Sequence, residues 1–297
     1  MIDYPALYNS PESEARFRSA YETLLKSWQI EVSSTWVNTD FGETHVLVAG
    51  TSSAPPIVSV PGAQGTAAMW GHVASTLASD RSIYCVDLID QVGLSRPKRV
   101  MSNPEDGDHW FRQTMDGLGL DYFDLVGNSL GSFIAAKFAS AYSERVRSLV
   151  LTAPAATVAS VSPAYVLKVL TSMNIPIKKI KTRFLLGTGA GSVGPDDLLF
   201  RVLNSAMLES RLVSKLLPRA LSSRELGALT MPVLLIQGQK DRVNAGSAEE
   251  NCQRAKLSVQ RLTCETLADA GHLWSPAQFL RAGEMIKEFI RSAIPLY

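Results

Sequence analysis

Short apolar runs recur along this 297-residue chain, and most of them are separated by segments long enough to form a helix. A run of four to eight residues that is apolar throughout is typical of a strand buried on both faces. Strands that alternate with helices predict a mostly parallel sheet covered by helices on both sides, which is an α/β fold. The predicted strands of this kind comprise residues 57–60, 82–88, 122–126, 146–151, 233–236 and 261–265.

The alternation of strands and helices is interrupted at two places. Near the amino terminus, β-rich runs at 31–37 and 44–49 flank a short polar turn and predict a hairpin. Between 154 and 220 no convincing buried strand occurs, and the pattern indicates two or three amphipathic helices. We therefore expect residues 1–153 and 221–297 to form one core domain, with 154–220 inserted as a helical lid. Helix starts are predicted where a capping residue precedes a proline, at Ser162-Pro163, Gly194-Pro195 and Ser275-Pro276.

Composition narrows the class of protein. Hydrophobic residues make up 46% of the chain and charged residues 19%, which excludes a disordered chain, and no run of about 18 apolar residues could cross a bilayer. With 29 basic and 28 acidic side chains, the net charge of +1 provides no overall field to attract nucleic acid or an anionic membrane. We expect neither as a partner. Charged side chains in residues 1–28, where a secretion signal needs an apolar core, predict a cytoplasmic protein.

The three cysteines are widely spaced and form no C-x-x-C pair. This spacing argues against a disulfide framework and against a zinc site, so Cys85, Cys252 and Cys264 are predicted to be buried thiols.

A G-x-S-x-G pentapeptide, Gly127-Asn128-Ser129-Leu130-Gly131, lies between a predicted strand and a helix-forming run. At such a turn the serine is exposed at the amino terminus of a helix, and the two glycines remove side chains that would collide with neighbouring backbone. Backbone N–H groups and the helix dipole favour negative charge that develops there. Ser129 is therefore the candidate nucleophile. The alternative is a purely structural role, in which the serine caps the helix.

A serine needs a base, and the chain has four histidines. His272 lies on a loop between the last predicted strand and the helix that begins near Pro276, at the carboxyl edge of the sheet where Ser129 is also expected. His45, His72 and His109 are predicted to be surface or packing histidines.

The histidine needs an acid that fixes its tautomer and stabilises the imidazolium. Asp241 follows the predicted strand at 233–236, whereas residues 152–163, after the preceding strand, contain no carboxylate. Asp241 is thus the first candidate, by position and by elimination. Asp269 is the second, because it is close to His272 in sequence.

Two backbone N–H groups could stabilise the oxyanion of an acyl-transfer intermediate. One belongs to Leu130, directly after the serine. The other is assigned by position to Ala63, in the glycine-containing loop that follows the strand at 57–60.

Two further motifs lie in the predicted lid. Residues 189–194 match the dinucleotide pattern G-x-G-x-x-G but lack a following βαβ unit, so a flexible hinge is the preferred interpretation. The basic cluster of Lys178, Lys179, Lys181 and Arg183 predicts a solvated face, with contact to an anionic substrate tail as the alternative.

Taken in chain order, Ser129, Asp241 and His272 resemble the α/β-hydrolase superfamily over nearly the whole chain. Residues 39–46 and the helical amino-terminal extension are more loosely similar to small serine carboxylesterases of the naproxen-ester hydrolase type. The resemblance implies an α/β-hydrolase fold with an eight-stranded sheet and a helical cap after strand six. Two positions depart from the pattern: Pro61 replaces a histidine that usually begins the oxyanion loop, and Asn128 precedes the serine where histidine is common. A serine nucleophile argues against the dehalogenase and epoxide-hydrolase branches.

These features predict a serine hydrolase, without cofactor or metal, that cleaves a small-molecule carboxylic ester, or a thioester or lactone, through an acyl-enzyme on Ser129. The same residues could instead serve a biosynthetic lyase, cyclase or acyltransferase, or a ligand receptor that retains them. The oligomeric state is not predicted. Residues expected to contact the substrate are Asn128, Tyr165, Leu167, Leu170, Met173, Leu199, Leu203 and Met207.

Overall fold

The computed structural model describes residues 6–173 and 177–293, and of Met173 and Ala293 it describes the backbone alone. In the described part, ten α-helices surround one mixed sheet. The strands are β1 (Val32–Thr39), β2 (Gly42–Ala49), β3 (Ile57–Val60), β4 (Ile83–Val86), β5 (Arg96–Pro97), β6 (Phe123–Asn128), β7 (Val146–Thr152), β8 (Val233–Gly238) and β9 (Leu262–Leu267). The helices are α1 (Pro11–Lys26), α2 (Gly71–Leu77), α3 (Pro104–Gly117), α4 (Leu130–Ala141), α5 (Pro163–Met173), α6 (Lys178–Thr188), α7 (Leu198–Glu209), α8 (Ser223–Gly227), α9 (Ala248–Lys256) and α10 (Pro276–Ala293).

Eight of the strands form a continuous sheet in the order β1-β2-β4-β3-β6-β7-β8-β9. The hairpin β1–β2 is antiparallel and β2 pairs antiparallel with β4, whereas every later neighbour in this order is parallel. The expected α/β-hydrolase fold with a mostly parallel sheet is thus confirmed. The two-residue strand β5 pairs beside β2 as an addition to the expected eight.

The sheet separates two apolar clusters because successive strand residues point to opposite faces. In β8, Leu234 and Ile236 pack with helices α1, α2 and α10, whereas Val233 and Leu235 face the cluster that contains α3, α4 and α8. Each strand in the centre of the sheet is therefore buried on both faces, as its continuous apolar sequence predicts.

The register brings the carboxyl ends of the parallel strands to one edge. Val60 pairs with Gly127, Asn128 with Thr152, Thr152 with Ile236, and Gly238 with Leu267. Loops that follow β3, β6, β8 and β9 consequently emerge side by side, and these loops carry the residues singled out from the sequence.

Helices α5, α6 and α7 lie within residues 154–220, where two or three helices were expected, and the short α8 follows before β8. If the short β5 is not counted, β7 is the sixth strand. The boundary of a separate lid at 154–220 stays a prediction.

Helix α7 does not begin at Gly194-Pro195, so that predicted start is wrong. Pro195 lies in a turn, and the helix begins at Leu198 with Asp197 as its cap. The Asp197 carboxylate accepts hydrogen bonds from the N–H groups of Leu199 and Phe200, which a glycine cap cannot do. The other two expected starts, at Pro163 and Pro276, are confirmed.

Two of the three cysteines are not free thiols. Cys252 of α9 and Cys264 of β9 form a disulfide with their Cα atoms 6.2 Å apart, because α9 packs against the strand that follows it. Cys85 is a buried free thiol, as expected. Within the described ranges, no helix has the length and apolar character needed to cross a membrane.

Candidate active site

Ser129 occupies a strained turn between β6 and α4. Its φ of 51° lies in the left-handed region, which a side chain other than glycine rarely adopts. A Cβ atom at Gly127 would lie 2.5 Å from the carbonyl oxygen of Gly131, and a Cβ atom at Gly131 would overlap the carbonyl oxygen of Val60. Both glycines of the motif are therefore required for the strand, the turn and the helix to pack this closely.

Hydrogen bonds donated by residues 128, 129 and 132 support this turn. The Ser129 N–H donates to the Thr152 carbonyl at 3.0 Å, and the Asn128 amide donates to the Thr152 hydroxyl at 3.1 Å. The Ser132 hydroxyl donates to the Gly127 carbonyl at 2.8 Å. The turn is thus fixed by buried contacts to β6 and β7.

Ser129, His272 and Asp241 form a continuous hydrogen-bonded relay. The distance from Ser129 Oγ to His272 Nε2 is 2.8 Å, and the distance from His272 Nδ1 to Asp241 Oδ2 is also 2.8 Å. With Nδ1–H donating to the carboxylate, Nε2 is left as the acceptor for the serine hydroxyl. The three residues that we expected to meet from their sequence positions therefore lie in contact.

The electrostatic setting keeps the Asp241 carboxylate charged. Burial raises its pKa, but the electrostatic interaction and hydrogen bond with His272 and a 2.8 Å hydrogen bond from the Val243 N–H outweigh burial, so that the pKa lies below its usual value. Only 6% of the Asp241 side chain is exposed. An ionised, shielded carboxylate is suited to holding an imidazole in one tautomer.

The loop that carries His272 is attached to the end of helix α6. The Thr188 carbonyl accepts hydrogen bonds from the N–H groups of His272, at 2.8 Å, and Leu273, at 3.2 Å. A Cβ atom at Gly271 would overlap this carbonyl oxygen, so the close approach depends on glycine. The sequence reasoning missed Thr188, because a backbone carbonyl has no side-chain signature.

The N–H groups of Ala63 and Leu130 are available near the serine. Both residues line the same cavity as Ser129. Within the part of the chain that the structure describes, neither N–H donates to a protein acceptor. Two unpaired donors beside a serine hydroxyl are suited to binding a developing oxyanion.

The loop after β3 approaches the serine closely. A Cβ atom at Gly62 would lie 2.9 Å from Ser129 Cβ, so glycine allows the contact. A turn follows, closed by a 2.9 Å hydrogen bond from the Gly65 N–H to the Gly62 carbonyl, and the Ala67 N–H then donates to the buried Asp87 at 2.7 Å. The position of Ala63 therefore rests on a loop anchored at both ends.

A cavity of about 480 Å³ extends from Ser129 and is lined mainly by apolar side chains. Leu167 and Leu199 do not line it: Leu167 is 62% exposed, and Leu199 is buried in the apolar core. The side chain of Met173 lies outside the described residues. The expected substrate contacts that do line the cavity are Asn128, Tyr165, Leu170, Leu203 and Met207.

Sequence reasoning also missed part of the cavity wall. Leu216, Leu217 and Pro218 lie in a segment without regular secondary structure between α7 and α8 and line the cavity, although the pattern indicated helices there. Burial and the Asp241 charge raise the pKa of Tyr165 to about 12, so its hydroxyl stays a neutral donor at the cavity wall.

The remaining titratable candidates lie elsewhere. His45 is fully buried with its Nδ1 2.8 Å from Asp87 Oδ2, and His109 pairs with Asp40 at the surface. Asp269 is 85% exposed and pairs with Lys240 at 3.0 Å, away from the His272 ring. Among the residues described, no group of three or more His, Cys, Asp or Glu side chains is arranged to hold a metal ion.

Comparison with known proteins identifies relatives of this chain. A family model described as the alpha/beta hydrolase fold matches residues 55–177. The chain is 27% identical to the carboxylesterase YbfK of Bacillus subtilis over 99% of its own length and 100% of that protein. It is 24% identical to an uncharacterized carboxylesterase, nap, of the same organism, over 93% of each chain.

Solved structures give the same relationship. The crystal structure of carboxylesterase CesB (YbfK) from Bacillus subtilis superposes with a TM-score of 0.86 at 26% identity, covering 95% of this chain and 100% of that one. Naproxen esterase from the same organism gives a TM-score of 0.84 at 23% identity, covering 95% and 99%. Fold, site geometry and full-length relatives together make this chain an enzyme of the α/β-hydrolase fold, of carboxylesterase-like type.

Proposed function

We propose that the protein hydrolyses a small-molecule carboxylic ester through an acyl-enzyme on Ser129. The observation that carries the proposal is the relay of two 2.8 Å contacts from Ser129 Oγ through the His272 ring to Asp241. The proposal is also supported by two relatives that match nearly the whole chain and are named carboxylesterases.

Each residue has a role that follows from its contacts. Ser129 Oγ attacks the ester carbonyl carbon while His272 Nε2 takes the hydroxyl proton, and Asp241 stabilises the imidazolium that forms. The N–H groups of Ala63 and Leu130 bind the oxyanion of the tetrahedral intermediate. When the carbon–oxygen bond of the ester breaks, His272 gives its proton to the departing alkoxide. Water then attacks the acyl-enzyme by the same steps in reverse and regenerates the serine.

The substitution Ser129→Ala tests this proposal. It should abolish measurable turnover of 4-nitrophenyl butyrate, because the nucleophile is lost while the cavity is retained. Ser140→Ala is the matched control: Ser140 lies near the other end of the same helix, and its hydroxyl donates to the Lys137 carbonyl of that helix, away from the serine turn. A fluorophosphonate probe should label the wild type and the control variant but not Ser129→Ala. Equal activity of Ser129→Ala and the wild type would overturn the proposal.

A further inference from the structure

A second cavity, of about 370 Å³, opens beside the first on the side of His272. Its walls come from α5, α6 and the loop after β8. It shares with the first cavity the residues Tyr165, Phe184, Thr188, Val243 and His272. The two cavities therefore meet at the imidazole.

The second cavity is cationic, whereas the first is apolar. Lys168 of α5, Arg183 of α6, and Lys240 and Arg242 of the loop after β8 line it, and none of the described residues in its wall is an acid. Lys240 pairs with Asp269, but Lys168, Arg183 and Arg242 make no ion pair with the residues described. Because the chain as a whole carries a net charge of only +1, this concentration of positive charge is local.

The position of the cationic cavity indicates which half of an ester substrate would bind there. In serine ester hydrolysis the histidine gives its proton to the departing alcohol, so the alcohol lies on the side of the histidine ring. The cationic cavity opens on that side. The apolar cavity around Ser129 is left for the acyl chain, which is bound by burial of apolar surface.

We propose, on the basis of the ester-hydrolase function proposed above, that the natural substrate is an ester of an anionic alcohol, whose carboxylate or phosphate group binds in the cavity between Lys168, Arg183 and Arg242. Arginine and lysine side chains both bind such oxyanions. Of the basic cluster noted in the sequence, only Arg183 lines this cavity. Lys179 lies on the same helix outside its wall and is exposed.

The test compares esters that differ only in the charge of the alcohol. The substrates are butyrate esters of 3-hydroxybenzoate, of its neutral analogue 3-hydroxybenzamide, and of 3-hydroxyphenyl phosphate. The rate of hydrolysis is measured by the release of the phenol. In the wild type, kcat/KM should be at least about tenfold higher for an anionic ester than for the neutral ester at low salt, and the difference should shrink at about 0.5 M salt. The carboxylate and phosphate esters distinguish the two sources of the negative charge.

Charge reversal identifies the residues responsible. In Lys168→Glu/Arg183→Glu the ratio of kcat/KM between anionic and neutral ester should fall at least about tenfold, since two attractions become repulsions. Lys179→Glu reverses one charge on α6 outside the cavity wall and should leave the ratio within about twofold. Monophenyl glutarate, which carries its charge on the acyl half, should gain nothing over phenyl pentanoate.

The outcomes separate this inference from the function on which it rests. If the wild type hydrolyses the neutral ester in a Ser129-dependent manner but the ratio is the same in the wild type, the double variant and Lys179→Glu, the anionic-alcohol proposal is wrong and ester hydrolysis stands. A preference for monophenyl glutarate would also overturn it, because the charge would then belong to the acyl half. If no ester is turned over in a Ser129-dependent manner, both proposals fail.

Discussion

Two aspartates follow the last parallel strands near His272, and their surroundings differ sharply. Asp241 is buried and contacts the imidazole, whereas Asp269 is exposed and pairs with Lys240. The same substitution at the two positions therefore separates the role of the acid from a general change of charge.

Asp241→Asn should lower kcat for 4-nitrophenyl butyrate by about 10³- to 10⁴-fold, because an amide in this position favours the wrong imidazole tautomer and cannot stabilise the imidazolium. Asp269→Asn should leave kcat within about twofold. Steady-state kinetics on both variants, with circular dichroism to check folding, measures the difference. A large loss in Asp269→Asn together with a small loss in Asp241→Asn would reverse the assignment.

Ser129, His272 and Asp241 were predictable individually because each has a side-chain signature and a defined place after a strand. The exposed pocket positions were less predictable. Leu167 and Leu170 both fit an apolar face of α5, but only Leu170 lines the cavity, because which side of a short helix faces the site depends on how the helix docks. Thr188 acts through its backbone, so no property of its side chain could indicate its contact with the His272 loop.

The unit formed by β3, β6 and α4 holds the serine and the candidate oxyanion donors in one arrangement. Gly131 of α4 lies directly against the carbonyl oxygens of Val60 and Pro61, the residues that lead into the Ala63 loop. Any side chain at this position must move that loop or the helix.

Gly131→Ala should reduce the free energy of unfolding by about 1–3 kcal/mol, the usual cost of overpacking, and should reduce kcat/KM by about a hundredfold because the Ala63 loop is displaced. Gly194→Ala is the matched control: a Cβ atom there meets nothing within 4 Å, so stability and activity should change little. Urea unfolding and ester kinetics on both variants test this. Full activity of Gly131→Ala would mean that the close packing does not position the oxyanion loop.

Strands and helices differ in how well the sequence predicted them. Each end of the buried strands was located to within two residues, since continuous apolar runs bounded by polar turns leave few alternatives. The start of α7 was wrong because Asp197 offers a side-chain acceptor that the Gly194-Pro195 pair lacks. The disulfide between α9 and β9 was missed because it depends on how the helix folds back on the strand, which the spacing of Cys252 and Cys264 does not express.

The folded chain also buries acidic side chains outside the site, and these link its overall stability to pH. Asp90 accepts a 2.7 Å hydrogen bond from the Met101 N–H through one oxygen, while its other oxygen is buried without a partner in the described residues. Asp108 is mostly buried, with Lys137 3.8 Å away. Burial raises the pKa of both carboxyls to about 6.

A raised carboxyl pKa makes folding less favourable as pH rises. An unfolded aspartate titrates near pH 4, so between about pH 4 and pH 6 the folded chain holds protons that the unfolded chain has released. As pH rises from about 4 to about 6, the stability contributed by the protonated carboxyls is lost. Above about pH 6 the folded protein carries the full free-energy penalty of two buried charges. Two pKa units at each site correspond to about 3 kcal/mol per carboxyl.

Asp90→Asn/Asp108→Asn should therefore raise the free energy of unfolding more at pH 7.5 than at pH 4.5, by about 4 kcal/mol for the two sites together, because the neutral amides avoid the penalty of a buried charge, part of which is already present at pH 4.5. The amide oxygen introduced by Asp90→Asn can still accept from the Met101 N–H, and Lys137 keeps its 3.0 Å pairing with Glu225. Asp121→Asn, at an exposed position, should have the same small effect at both pH values. Urea unfolding curves at the two pH values measure the differences, and a pH-independent effect of the double substitution would show that these carboxyls titrate normally in the folded protein.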